Sequence, residues 1–330
     1  MGKLQGKRVL LFSPKFFNYH ELIKCAIEAE GAEVLLIDER NNPTAFEKIL
    51  LRKAHFLMSP KINTYYKDLT KELHNFNPDY MLFISPEAVT AVALENLRFT
   101  FPQCRLILYM WDSVANKNVK NILQYFDYKY SFDQQDCRKY GMIFRPLFYA
   151  KEFERDTSNC NYKYDLSFIG TVHSDRAKIL RQIKTYCDKN NISYYFYLYI
   201  PGKLLLFLRL FFNKDLRSWE RKYIHTDPLN NDEVAAISEN TCCIIDINHP
   251  KQTGLTMRTI EMLGMKKKIM TTNQNIENYD FYRPTNQIIL NREHVSIDEI
   301  SLHSPYVDIP ANIYSRYSLQ AWIQDVFSLS

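Results

Sequence analysis

Glycine is scarce in this chain: eight among 330 residues, and no GxGxxG follows a strand. The fingerprint that lets a backbone close on a dinucleotide pyrophosphate is therefore missing, and NAD-type chemistry is not expected. Cysteine is limited to an odd seven (Cys25, Cys104, Cys137, Cys160, Cys187, Cys242 and Cys243), with no CxxC pair and no Cys/His zinc spacing. That argues against a disulfide framework or structural zinc and fits a reduced cytosol. The first apolar run, 9–12 (VLLF), is short and has no small-residue cleavage site behind it, so no secretory signal is expected. Position 6 is Gly where N-myristoylation wants Ser or Thr, which removes Gly2 as a lipid site. A strong charge bias is missing too: 42 basic residues face 37 acidic ones, without long like-charge blocks. Nucleic acid is not the expected partner, and the surplus of +5 better suits a phosphate-bearing ligand or an anionic membrane surface.

What is present is an ordinary globular composition, 46% hydrophobic and 24% charged. The length fits two domains of about 150 residues each. The 23 Tyr and 21 Phe exceed what a core needs, and some are expected to line grooves.

The apolar segments alternate with helical ones. Buried parallel strands are predicted at 7–13 (KRVLLFS), 33–38, 80–85, 105–112, 128–132 and 142–148, with helices at 19–30 and 67–76. A polar stretch, 151–163, reads as a linker. A second alternation follows, with strands at 165–169, 193–200, 242–247 and 268–272 and helices at 174–190, 233–239 and 257–265. The segment 313–330 reads as an amphipathic helix crossing back to the first half. Two doubly wound halves are implied, with domains at 1–150 and 151–312. Ligands of such sheets bind beyond the strand carboxyl ends. Segment 203–214 (KLLLFLRLFFNK) is too short to span a bilayer, which needs about 20 apolar residues. It reads as a buried helix or domain contact, or as a helix lying on a membrane surface.

The stretch 254–273 (GLTMRTIEMLGMKKKIMTTN) carries an Arg two residues before an aliphatic-Glu step, then Leu, Gly and a β-type run: Arg258, Ile260, Glu261, Leu263 and Gly264. With YMWDSVAN, YKYSFDQQD, RPLFY, YDLSFIGTVHSDR and NYDFYRP in order along the chain, it resembles the GT-B glycosyltransferases of the CgeB-like and lipopolysaccharide or capsule biosynthesis group. The resemblance implies an α/β fold of two Rossmann-like domains facing across a cleft, the first binding acceptor and the second a nucleotide sugar. It implies that Glu261 holds the ribose hydroxyls, which a carboxylate can do by accepting two hydrogen bonds. A solvated helix residue is the alternative. The E-x7-E of retaining relatives is incomplete, because its first glutamate falls on Thr253.

Arg258 shares a helical face with Glu261 and can hold a diphosphate bidentately, or simply form an ion pair with Glu261. Gly170 and Thr171 are expected after the first strand of the second domain, letting backbone N–H groups approach phosphate at a helix N-terminus. Arg176 reaches the same phosphates or pairs with Asp175. Thr256, Thr272 and Asn273 are either donor ligands or caps and turns. Asp112 is the expected general base, with a loop cap through Ser113 or Asn116 as its alternative. Asp133 falls at another strand's carboxyl end. His249 is expected near donor or acceptor with Asp246 fixing its loop, while His20 and His173 also lie near element ends. Ser13, Phe17, Trp111 and Asn116 are placed on the acceptor side. No D-x-D stands in a metal-binding context, so neither metal nor cofactor is expected; phosphate charge falls to Arg258, Arg176, a helix N-terminus and Lys266, Lys267 and Lys268.

The reading is a cytoplasmic, metal-independent glycosyltransferase, with 203–214 either buried or in peripheral contact with the inner membrane. It would move a sugar from a UDP- or GDP-linked donor to a glycan or lipid-linked glycan of lipopolysaccharide, O-antigen or capsule. A nucleotide-sugar epimerase of the same fold, or a non-catalytic nucleotide- or glycan-binding module, is the alternative.

Overall fold

The computed structural model describes residues 2–328 apart from 16, 17, 41–43, 45, 46, 48–50, 52, 53, 118, 158–160 and 251. The chain divides into two compact units, Met1–Leu147 with Leu319–Ser330, and Phe148–Ser318.

In the first unit β1 (Arg8–Phe12), β2 (Glu33–Ile37), β3 (Tyr80–Ile84), β4 (Arg105–Met110), β5 (Tyr128–Ser131) and β6 (Ile143–Phe144) form one sheet. Its order is β2-β1-β3-β4-β5-β6, with every pairing parallel. The central strands are apolar throughout because both faces are covered: all of β3 and the last four residues of β1 are buried. Phe12 and Phe83 stack across neighbouring strands at 4.2 Å. The expected sixth strand shrinks to two residues at this edge.

The helix expected at 67–76 is instead His55–Glu72. Its buried stripe, Ile62, Tyr66 and Thr70, repeats every four residues in an otherwise polar sequence, and Pro60 near its start removes only one N–H bond. The helix expected at 313–330 is two helices, Ala311–Arg316 and Leu319–Val326. They part at Tyr317, whose carbonyl accepts the Tyr149 N–H at 2.8 Å and whose hydroxyl donates to Asp280 at 2.6 Å. Leu319–Val326 buries Trp322, which meets Tyr109 edge to face at 4.6 Å. Glu30 accepts from Gln320 and Gln324 of this helix, and Arg145 pairs with Asp325 at 2.8 Å.

In the second unit β7 (Tyr164–Thr171), β8 (Tyr194–Tyr199), β9 (Ile224–His225), β10 (Thr241–Asp246), β11 (Lys268–Thr271) and β12 (Gln287–Ile289) form a parallel sheet in the order β12-β11-β10-β7-β8-β9. Successive strands step outward from β7 through β8 to β9, then return to its other side with β10. The switch point lies between β7 and β10. The edge strands β9 and β12 are too short to show a period in sequence.

The stretch 151–163 is anchored at two of its described residues. Phe153 and Thr157 are buried, and Thr157 Oγ1 donates to Met265 O at 2.7 Å. Gly264 permits this approach: a Cβ there would lie 2.6 Å from Tyr149 Cγ and 2.9 Å from Phe153 O. The helix Lys203–Phe212 has no buried residue. Leu205, Leu206 and Leu210 pack against the unit's core, while its other face is exposed, so the expectation of a buried helix does not hold.

Candidate functional site

The carboxyl ends of β7 and β10 collect the charged groups of the second unit. Arg176 opens the helix Arg176–Asn190 and turns back over Phe168. Its Nε donates to Ile247 O at 2.6 Å, beyond β10, and its Nη1 to Thr171 O at 2.9 Å, at the end of β7. Burial pulls its pKa below the usual arginine value, and the fields of Arg292 and Arg258 act the same way while Asp246 and Asp175 oppose. The group stays cationic. Asp175, the alternative partner for Arg176, is held by Arg292 instead, which donates Nη1 to both Asp175 oxygens at 2.9 and 2.8 Å and Nη2 to Asn248 Oδ1 at 2.6 Å.

Arg258 and Glu261 lie on the helix Met257–Gly264, where every residue from 259 onward is buried. Glu261 is 5% exposed, so it is no solvated helix residue. Arg258 Nη1 sits 3.6 Å from Glu261 Oε2, an ion pair without a hydrogen bond, and makes none elsewhere among the described residues. A buried guanidinium nitrogen with donor capacity unspent is costly unless a ligand uses it.

His173 adds a neutral ring to this cationic rim. It lies 5.9 Å from the His249 ring, and burial, then Arg176, His249 and Arg209, push its pKa down to about 4.

The threonines and Asn273 shape the crevice from within. Thr256 caps the Met257–Gly264 helix by accepting from Thr259 N, and both hydroxyls donate to Asp246 Oδ2, at 2.7 and 2.8 Å. Asp246 thus orients this helix. Thr272 donates to Asn248 Oδ1 at 2.7 Å. Asn273 Nδ2 donates to the carbonyls of Thr253 and Gly254.

Gly170 and Thr171 are the last two residues of β7 rather than the turn after it, because pairing with β8 continues through Thr171. The turn proper is 172–175, with Ser174 at φ 52°. Lys266, Lys267 and Lys268 lie at the opposite end of the strands, around the start of β11. Lys266 pairs with Asp156 and Asp308, Lys267 donates to Glu239 O at 2.9 Å, and Lys268 donates to Ser301 O and Leu302 O. Their ammonium groups neutralise carbonyls and carboxylates there, so they do not join the crevice.

In the first unit Asp112 follows β4. Its Oδ1 accepts from Ser113 N at 2.8 Å and Asn116 Nδ2 at 3.0 Å, and its Oδ2 lies 3.8 Å from Lys117 Nζ. The carboxylate caps the loop before Val114–Lys117 and remains 39% exposed, open to a further partner. Trp111 N donates to Ser85 Oγ at 2.7 Å, tying the ends of β3 and β4. Ser13 is buried and borders a cavity of about 500 Å³ with Lys15, His20, Glu21, Lys24 and Asp38. Asp133 caps the helix Gln134–Tyr140 through Gln135 N. Phe17 lies outside the described residues.

Arg292, Asn248 and Arg209 were not expected. Arg292 follows β12, whose three residues carry no periodic signal. Its only sequence mark is a basic residue after the apolar IIL. Among the described residues no group of three His, Cys, Asp or Glu could hold a metal ion, and no helix is long and apolar enough to cross a membrane.

No protein-family model and no curated protein sequence matches the chain. Solved structures do. HepE from Anabaena in complex with UDP and glucose is 11% identical with a TM-score of 0.62, covering 98% of this chain and 100% of its own. The lipopolysaccharide outer core galactosyltransferase WaaB, in its apo form, is 10% identical with a TM-score of 0.55 over 98% and 100%. The Methanocaldococcus jannaschii UDP-GlcNAc 2-epimerase, in complex with UDP-GlcNAc and UDP, is 14% identical with a TM-score of 0.55 over 98% and 99%. At such identities the likeness is one of fold, and the fold of this chain is the two-unit α/β architecture of GT-B glycosyltransferases such as WaaB.

Proposed function

We propose that the protein transfers a sugar from a nucleotide-diphosphate donor to a bacterial cell-surface glycan, on the cytosolic face of the membrane. The observation that carries this reading is Arg258 Nη1, buried beside the buried Glu261 with no hydrogen bond among the described residues, at a switch point ringed by Arg176 and Arg292. Glu261 would accept from the two ribose hydroxyls. Arg258 would donate to the diphosphate and stabilise the charge that grows as it leaves. Arg176 and Arg292, already spent on carbonyls and Asp175, would act through their fixed positive field rather than by direct contact. On the acceptor side Asp112 would take the proton of the attacking hydroxyl through its exposed Oδ2 edge. Ser13, Trp111 and Asn116 would shape that side. The complexes of HepE with UDP and UDP-glucose support a uridine donor as the first to try.

A 2-epimerase is the second reading, supported by the Methanocaldococcus jannaschii structure. Thermal melting with UDP, GDP and their sugars, followed by donor consumption with and without glycan acceptor, separates the two. Acceptor-dependent release of nucleotide supports transfer. Conversion of donor with no nucleotide released supports epimerisation, and no response to any nucleotide sinks both.

A further inference from the structure

The helix Lys203–Phe212 is apolar on two faces. Leu205, Leu206 and Leu210 face the core of the second unit. Leu204, Phe207, Leu208 and Phe211 recur at the spacing of one helical face, and with Phe212 they stand 43 to 79% exposed. Five large apolar side chains side by side make a patch that a soluble surface rarely carries without a partner.

The surrounding charge identifies that partner. Residues 203–222 hold six basic side chains (Lys203, Arg209, Lys214, Arg217, Arg221, Lys222) and two acidic ones (Asp215, Glu220), four of the chain's five net positive charges. Both acids are already paired: Asp215 with Arg181 at 2.7 Å, and Glu220 with Lys222 at 2.8 Å and with Lys184 at 3.7 Å. Arg217 donates to the carbonyls of Leu210 and Phe211, which ends the helix and fixes a cation at the border of the patch. An apolar face with basic flanks on a helix about 15 Å long matches the interface of a bilayer rather than its span.

We propose that Lys203–Phe212 docks the protein on an anionic lipid surface, with Phe207, Phe211 and Phe212 entering the acyl boundary and Lys203, Lys214 and Arg217 meeting headgroups. The helix is also fastened to the crevice, since Arg209 on its inner side donates to Val172 O, next to His173. Docking therefore holds the end of β7 close to the lipid, where a lipid-linked acceptor would be presented. The docking claim stands independently of the donor assignment.

Flotation with vesicles of phosphatidylcholine alone, and with roughly a third phosphatidylglycerol, tests it. The wild type is expected to float with the anionic vesicles only and to be released by high salt. The F207D/F211D pair is expected to stay in solution, and the K203E/K214E pair, which leaves the apolar face intact, to bind at least about ten-fold more weakly. Melting curves that match the wild type establish that both variants are folded. A wild type that never floats, or an Asp pair that floats as well as it does, overturns the proposal. A soluble dimer dissolved by the Asp pair, without flotation, gives the face to a second copy instead. Loss of UDP response with flotation intact would strike the donor reading alone.

Discussion

Arg176 clasps Ile247 across the switch point of the second sheet, its Nε 2.6 Å from that carbonyl while its Nη1 holds Thr171 O on the other side. A single side chain thereby sets the width of the crevice between β7 and β10. Arg176→Ala leaves two carbonyls without this donor, and unfolding in urea should show a loss of about 2 to 3 kcal/mol. Arg176→Lys should recover less than half, because an ammonium cannot reproduce the two-pronged grip.

Glu261 and Asp112 are assigned different tasks, and their variants should separate. Glu261→Ala should weaken UDP binding at least about ten-fold, the scale of one lost charge-assisted hydrogen bond. Asp112→Asn keeps the loop cap's geometry, so UDP binding should be unchanged while turnover falls by about two orders of magnitude or more. Equal effects on binding and rate in the two variants would undo the assignment.

His173 makes stability depend on acid. Its pKa falls to about 4 in the folded protein against 6.5 for the free side chain. Between those values the unfolded chain binds the extra proton, so this group's contribution is full above pH 6.5 and is lost as pH falls towards 4. Melting temperatures of His173→Asn and wild type, measured from pH 7 to 5, should converge on the acid side if the wild type is ahead at pH 7. A constant gap would show that the ring titrates normally.

Gly264→Ala should destabilise the second unit by about 1 to 3 kcal/mol, the range of an overpacked core. Its new Cβ has no room between Tyr149 Cγ and Phe153 O, and backbone cannot swing aside as a flexible side chain would. Denaturant midpoints check it.

The central strands could be read from sequence because burial on both faces writes itself as unbroken apolar runs, as in VLLF and CCII. Short edge strands such as β12 leave no such trace, and Arg292 was overlooked with it. In 254–273 the Arg258–Glu261 pair could be read from a spacing of three on a helix, and the structure places both side chains together. Whether that helix face was wet or dry could not, since the spacing of charges on a helix does not tell what packs against it, and Glu261 is buried. The three lysines misled for a related reason. Their charge is visible in sequence, but that they fall at the start of β11 is decided by the helix ending at Gly264. Arg176 stands out in sequence only as a basic residue after the first strand of the second half; its partners are two carbonyls, and a carbonyl's availability is never written in residue identity.

Trp322 has a consequence for how the protein is made. The helix that carries it completes the first unit, sealing Tyr109 and the flank of Glu30, yet it is synthesised after every residue of the second. On a ribosome the usual order of domains is reversed at the finish: the second unit can close while the first still waits for its final piece. A chaperone that holds nascent chains would meet the exposed face of the first unit for most of translation, and a stop codon at position 319 should leave an intact second unit attached to an aggregation-prone first.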